Sequence, residues 1–417
     1  MHSSSQTSWI LRGARGTTSR RFLNLGDLLS HLSGFGFYGT RSCCGSRRVL
    51  KSMGTLLVTQ SGGPTPVINR SLYGVVTEAL KSSRYDQVLG ARHSVDGIIS
   101  GDFVDLTSVT SDRWSCIKSA PGSAIGTSRR KLVDADVPMI WDRLDENSVT
   151  CWVMIGGNDS AENALTISTE AATTGYDLLV VHVPKTVDND LAESDHSPGY
   201  GSAARFVAAA TLGAGFDAES MGRAAPITVL EVAGRNSGWL AAAGALSKRD
   251  ERDAPHVVVL PEVAFDEEGF VAKVEEAFVR YGYAIVVAQE NVRSSDGGPL
   301  GGDVESTHQD AFGHQYYEGA GRYLTKLLTD SLGVRVRYDK PGSIQRSLPS
   351  MVSNVDAEEA ELVGRAAVSP SWDRSTGGSV VLIREQEDPY RCTTAVSYTH
   401  LRAHETRHDL VCRLLLE

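Results

Sequence analysis

The stretch from Val149 to Leu191 constrains this chain most. Two short apolar runs, V-T-C-W-V-M-I (149–155) and L-L-V-V-H-V (178–183), are rich in β-branched residues and break directly into polar clusters. Those clusters are G-G-N-D-S-A-E-N (156–163) and P-K-T-V-D-N-D-L (184–191). A buried parallel strand has this pattern: continuous apolar residues, then a polar loop at its carboxyl end. The pair predicts two neighbouring strands that deliver their loops to one cleft.

The residue types in those loops suggest an anion. Gly157, after Gly156, leaves backbone amides bare enough to close on a phosphate, and Asp159 and Ser160 follow at once. In the second loop Lys185 supplies a cation, Thr186 a hydroxyl, and Asp188 and Asp190 carboxylates on alternate positions. A glycine pair alone can be a tight strand-to-helix turn. Three acidic or amide residues in succession after a buried strand contribute nothing to a core, because buried charge is costly when unpaired. Carboxylates that hold Mg²⁺ and a lysine that faces phosphate suit a phosphoryl donor.

G-G-N-D-S together with P-K-T-V-D-N-D resembles the signature of the phosphofructokinases, and most closely that of their pyrophosphate-dependent branch. The resemblance continues in order through Q-S-G-G-P (60–64), G-T-S-R (126–129), E-V-A-G-R (231–235), Pro261-Glu262 and G-S-I-Q-R (342–346), covering roughly residues 53–396. It implies an α/β fold of two similar Rossmann-like parallel-sheet domains with the active site between them. It also implies Mg²⁺-dependent transfer of a phosphoryl group from pyrophosphate to the C1 hydroxyl of fructose 6-phosphate. The alternatives are an ATP-dependent 6-phosphofructokinase, a longer phosphosugar as acceptor, and a non-catalytic phosphometabolite-binding subunit. A cytoplasmic homo-oligomer, dimer or tetramer, is expected with it.

Residue by residue, the resemblance makes Asp188 the proton acceptor, with Lys185 and Arg235 at the transferring group. Gly62, Gly63, Arg129, Gly157, Asp159 and Ser160 match donor-binding positions; Asp159 and Asp190 match the metal side. Thr186, Gly234, Glu262, Arg337 and Arg346 match contacts to the sugar phosphate, the two arginines holding the 6-phosphate. Donor choice follows from Asp159, which stands where nucleotide-using relatives have glycine. Its carboxylate would lie in the path of an α-phosphate, where like charges about 4 Å apart repel by about 4 kcal/mol at an effective dielectric of 20. Asn163 narrows the same path. Three residues depart from the family pattern: Asn158 replaces a metal-side aspartate, Ser343 a 6-phosphate ligand, and Pro226 an arginine that reaches across a subunit boundary.

Composition narrows the alternatives. With 417 residues there is room for two domains, and a net charge of −10 leaves no general basic face with which to displace counterions from nucleic acid. No apolar run reaches the length of about 18 that a membrane helix requires. Six cysteines occur without a CxxC or zinc-like spacing, so neither a disulfide framework nor a zinc site is expected. Residues 1–52 carry seven arginines among many serines and one acidic residue, Asp27; they read as a leader or as translated upstream sequence, outside the core. Residues 397–417 leave the family pattern and read as a non-native, adapter-derived tail. For that reason His400, His404 and His408, though spaced as metal ligands on a helix, are not taken as a site.

Along the core, Thr55–Gln60 is expected as the first strand, followed by a glycine turn and a helix from Val67 to Leu80. Further strands are expected at Ile227–Val232, His256–Leu260, Tyr283–Ala288, Val334–Tyr338 and Ser379–Ile383. Helices are expected at Tyr200–Gly215, Gly319–Leu332 and Ala357–Ala367, and a flexible loop at Ser294–Asp303. The strand-helix rhythm implies ligands at the carboxyl ends of the strands.

Overall fold

The computed structural model describes residues 54–300, 308–309, 315–316, 319–369, 372 and 377–398. The expectations for residues 1–52 and for His400, His404 and His408 lie outside them, as do Gly301 to Asp303 of the expected loop.

A seven-stranded sheet forms the first layer system. Its strands are β1 (Thr55–Gln60), β2 (Gln87–Ala91), β3 (Phe103–Asp105), β4 (Val149–Gly156), β5 (Leu179–Pro184), β12 (Gly378–Glu387) and β13 (Tyr390–Ser397), in the order β13-β12-β5-β4-β1-β2-β3. The five central strands run parallel, while β3 and β13 close the two edges antiparallel. The expected parallel sheet forms the centre, and the antiparallel strands are confined to its two edges. From β1 the chain first moves outward through β2 and β3, then returns to the other side of β1 through β4 and β5. That reversal makes the carboxyl ends of β1 and β4 a topological switch point, where open α/β sheets bind ligands.

The second sheet is four-stranded: β6 (Ile227–Val232), β7 (Val257–Val259), β8 (Ala284–Gln289) and β11 (Val336–Asp339), all parallel in the order β11-β6-β8-β7. A two-residue ladder, β9 (His308–Gln309) with β10 (Gln315–Tyr316), lies between β8 and β11 in the chain. The expected helices form at Ile68–Lys81, Tyr200–Met221, Ala320–Leu332 and Asn354–Ala366.

Each sheet has its own core, because strands apolar on both faces must be covered twice. Trp152 is fully buried in the first, among Ile140, Leu144 and Ile167, with its indole N–H donating to the Thr59 hydroxyl at 3.0 Å. Val229, Val274, Val286, Leu324 and Leu328 fill the second. No helix among the described residues is long and apolar enough to cross a membrane.

Candidate active site

The carboxyl ends of both sheets open onto one cleft of about 510 Å³. From the first sheet it receives Gly62 and Gly63 after β1, Gly157 to Ser160 after β4, and Lys185, Thr186, Asp188 and Asp190 after β5. Arg129 reaches it from a loop stitched to the glycine turn in both directions: Thr127 donates to the Gly62 carbonyl at 2.5 Å, and the Gly62 amide to the Ser128 carbonyl at 3.0 Å. Glu231, Arg235, Glu290, Lys340, Gln345 and Arg346 come from the second sheet.

Glycine is required in the first turn for two reasons. Gly62 sits at φ +73°, a conformation L side chains rarely adopt. At Gly63 a Cβ would stand 2.4 Å from a guanidinium nitrogen of Arg346, so the bare backbone makes room for that arginine. Lys185, buried, donates to the Gly63 carbonyl at 2.8 Å. Arg346 therefore lies beside the Gly62–Gly63 turn.

Burial sets the electrostatics. It lowers the Lys185 ammonium to about 7, against the opposing pull of Asp188 and with help from the positive charges of Arg346 and Arg235. It pushes Asp188 up, although Arg235 stands 3.9 Å away and opposes the shift. Asp190 is pushed up to about 6, by burial and then by the charge of Asp188. Glu290 is raised, again chiefly by burial. Burial raises these carboxylates although Arg235, Lys185 and Arg346 pull Asp188 down, and a bound cation would favour their ionised forms further.

The residues present fit a divalent metal. Asn158 Nδ2 donates to Asp190 Oδ2 at 2.6 Å, which leaves Asn158 Oδ1 and Asp190 Oδ1 buried without hydrogen-bond partners among the described residues. Two orphaned oxygens on hydrogen-bonded neighbours suit a hard cation. Among the described residues no group of three or more His, Cys, Asp or Glu is placed to enclose a metal, so further ligands would have to come from the donor and water. Asp159, in the first turn of the Asn158–Thr174 helix, lines the same wall.

The loop after β5 is tied to the loop after β6 and to itself. The Ser237 hydroxyl donates to the Asp188 carbonyl at 2.8 Å, and the Asp188 amide to the Thr186 hydroxyl at 3.0 Å. Arg235 adopts φ +52°, a strained backbone for a non-glycine residue and one that recurs at functional sites. Its amide donates to Glu290 at 3.3 Å.

Three expected sugar contacts sit elsewhere. Arg337 ion-pairs with Asp217 of the Tyr200–Met221 helix, in a separate groove with Thr228 and Tyr338. The short strand β11 turns Arg337 away from the cleft, and Lys340, just past the strand end, enters it instead. Glu262 accepts the Gly238 amide at 2.7 Å and does not line the cleft. Gly234 stays behind the wall, its Cα facing the Ser237 carbonyl, while its neighbours Ala233 and Arg235 line it. Sequence reasoning missed Glu231, Glu290 and Lys340 as wall residues. The ends of β6, β8 and β11 are the signal that could have found them.

A two-sheet α/β enzyme with a glycine-lined, lysine- and carboxylate-bearing cleft defines a phosphotransferase class, and the chain belongs to the phosphofructokinase family, whose profile matches residues 55–369. It is 38% identical over 336 residues to a pyrophosphate--fructose 6-phosphate 1-phosphotransferase of Rhodospirillum rubrum, covering 79% of this chain and 82% of the relative. To the enzyme of the same name from Halomonas elongata it is 35% identical over 341 residues, covering 80% and 81%. Among solved structures it resembles a pyrophosphate-dependent phosphofructokinase from Nitrosospira multiformis, with TM-score 0.76 and 30% identity, covering 88% of this chain and 91% of that one.

Proposed function

We propose that this chain is a pyrophosphate-dependent phosphofructokinase that transfers a phosphoryl group to the C1 hydroxyl of fructose 6-phosphate, releasing orthophosphate and fructose 1,6-bisphosphate. The observation that carries the reading is the convergence of Lys185, Asp188, Asp190, Arg235 and the Gly62–Gly63 turn on one cleft. The relatives' names supply the substrates.

An alkyl hydroxyl ionises near the pKa of water, about 15.7, and an ordinary aspartate near 3.9. Removing the proton first would cost roughly 16 kcal/mol at about 1.36 kcal/mol per unit. Asp188 therefore accepts the proton as the new O–P bond forms, and the upward push of burial brings it closer to that task. Lys185 and Arg235 stabilise the charge spread over the transferring oxygens from fixed positions. Arg129 and the Gly157–Ser160 turn hold the donor. Thr186 orients the sugar, and Arg346 reaches its phosphate or the donor turn.

Asn158, Asp190 and Asp159 would hold the divalent metal, read here as Mg²⁺, which supplies charge neutralisation to the diphosphate when bound. A homo-oligomer in the cytoplasm completes the reading, with Arg337 and its partner Asp217 in a groove outside this cleft. Incubating the full chain with pyrophosphate, fructose 6-phosphate and Mg²⁺ should yield fructose 1,6-bisphosphate and orthophosphate in equal amounts. Absence of the bisphosphate would contradict it.

A further inference from the structure

Beyond the region matched by the family profile, the hairpin β12–β13 returns to the first sheet and docks beneath the loop that begins with Asp188 and Asp190. Its grip has two parts. Val381 packs with Leu191, the residue after Asp190, and with Ala161 of the donor-side helix, all three buried. Two hydrogen bonds tie the strand to the far end of the loop: the Asp195 amide donates to the Leu382 carbonyl at 2.9 Å, and the Leu382 amide to the Ser194 hydroxyl at 3.1 Å.

His196 is the centre of the second part. One ring nitrogen lies 2.8 Å from Asp195 and the other 2.7 Å from Glu359 of the Asn354–Ala366 helix. With a carboxylate at each nitrogen the ring must donate twice, which only the imidazolium does. The hairpin supplies the outer partners. Arg384 donates to Asp195 at 3.0 Å, and the Tyr390 hydroxyl to the other oxygen of Glu359, with Cys392 beside Tyr390. From Asp190 to His196 the loop is closed on itself, the Ser197 amide donating to the Asn189 side chain at 2.9 Å. A shift of the His196 end is therefore passed to the Asp188–Asp190 turn.

We propose that the β12–β13 hairpin is the support that fixes the Asp188–Asp190 turn for phosphoryl transfer, and that His196, as a cation between Asp195 and Glu359, is the positioning residue joining them. This rests on the phosphotransferase reading of Asp188. A misplacement of about 1 Å in a reacting group can cost on the order of a hundredfold in rate, so loss of this clamp reads out in turnover rather than in substrate affinity. Burial alone would push His196 down, but the bonds and charges of Asp195 and Glu359 outweigh it and raise the ring to about 9.

The test is the pH profile of kcat for wild type and His196→Gln in the full chain, at a temperature where both are folded. Wild-type kcat should decline as pH rises through about 9, and His196→Gln should be about tenfold slower at neutral pH, lack that decline, and keep its KM for fructose 6-phosphate within about twofold. A neutral-pH kcat within twofold of wild type, or an alkaline decline that persists unchanged in His196→Gln, would overturn the proposal. If His196→Gln does not fold, Val381→Ala reads the apolar half of the same support: a threefold or greater loss of kcat upholds it and an unchanged kcat overturns it. Wild type without pyrophosphate-dependent turnover would remove the functional reading itself; active wild type with unaffected variants would remove only this inference.

Discussion

At the residue scale, the proposed roles of Asp188 as proton acceptor and Lys185 as fixed charge each have their own signature. Asp188→Ser should lower kcat by about 10² to 10⁴, the range for a lost general base, while fructose 6-phosphate binding, measured by calorimetry, changes less than about threefold. Near-wild-type turnover would remove Asp188 from its role. Lys185, lowered to about 7 by burial, holds the diphosphate only while protonated. In the free enzyme, kcat/KM for pyrophosphate should thus fall as pH rises through about 7, and Lys185→Met should lack that limb and be slow throughout. Asp159→Gly should admit measurable ATP turnover, and more with Lys185→Gly added, because the like-charge barrier to an α-phosphate has gone. No gain in either would show that these residues do not set the donor.

At the scale of elements, the clamp at His196 is also a stability device. Its folded pKa of about 9 lies above the ordinary 6.5, so its contribution is complete below pH about 6.5 and is lost as pH rises through about 9. That amounts to about 3 kcal/mol at about 1.36 kcal/mol per unit. Thermal melts should show Tm falling between pH 6.5 and 9 in wild type and a flatter course in His196→Gln; equal slopes would contradict this. The central strands and the polar clusters behind them were legible in the sequence because burial on both faces leaves an unbroken apolar run, as at Val149–Ile155. The hairpin was legible only as far as Ile383, because Arg384–Arg391 is exposed and polar and carries no apolar alternation. Gln87–Ala91 is too short and too poor in β-branched residues to announce a strand. Arg337 and Lys340 could not be told apart by motif, since the register of β11 on β6 decides which of them meets the cleft.

For the whole molecule, the cleft is made by two sheets: the first brings the glycines, Arg129, Lys185 and the Asp188 and Asp190 carboxylates, the second Arg235, Lys340, Arg346 and the Glu231 and Glu290 carboxylates. A chain begun at Met53 should keep its melting temperature to within about 2 °C, because residues 1–52 show no apolar periodicity that could join either core; a large fall would refute this. The proposed function requires that the cleft take a compact diphosphate in place of a nucleotide. It is tested most directly by initial rates of one preparation with fructose 6-phosphate and Mg²⁺, with pyrophosphate and ATP compared side by side. kcat/KM should be at least about a hundredfold higher for pyrophosphate, close to 3 kcal/mol at 1.4 kcal/mol per tenfold. ATP turnover equal to or above that with pyrophosphate would contradict it.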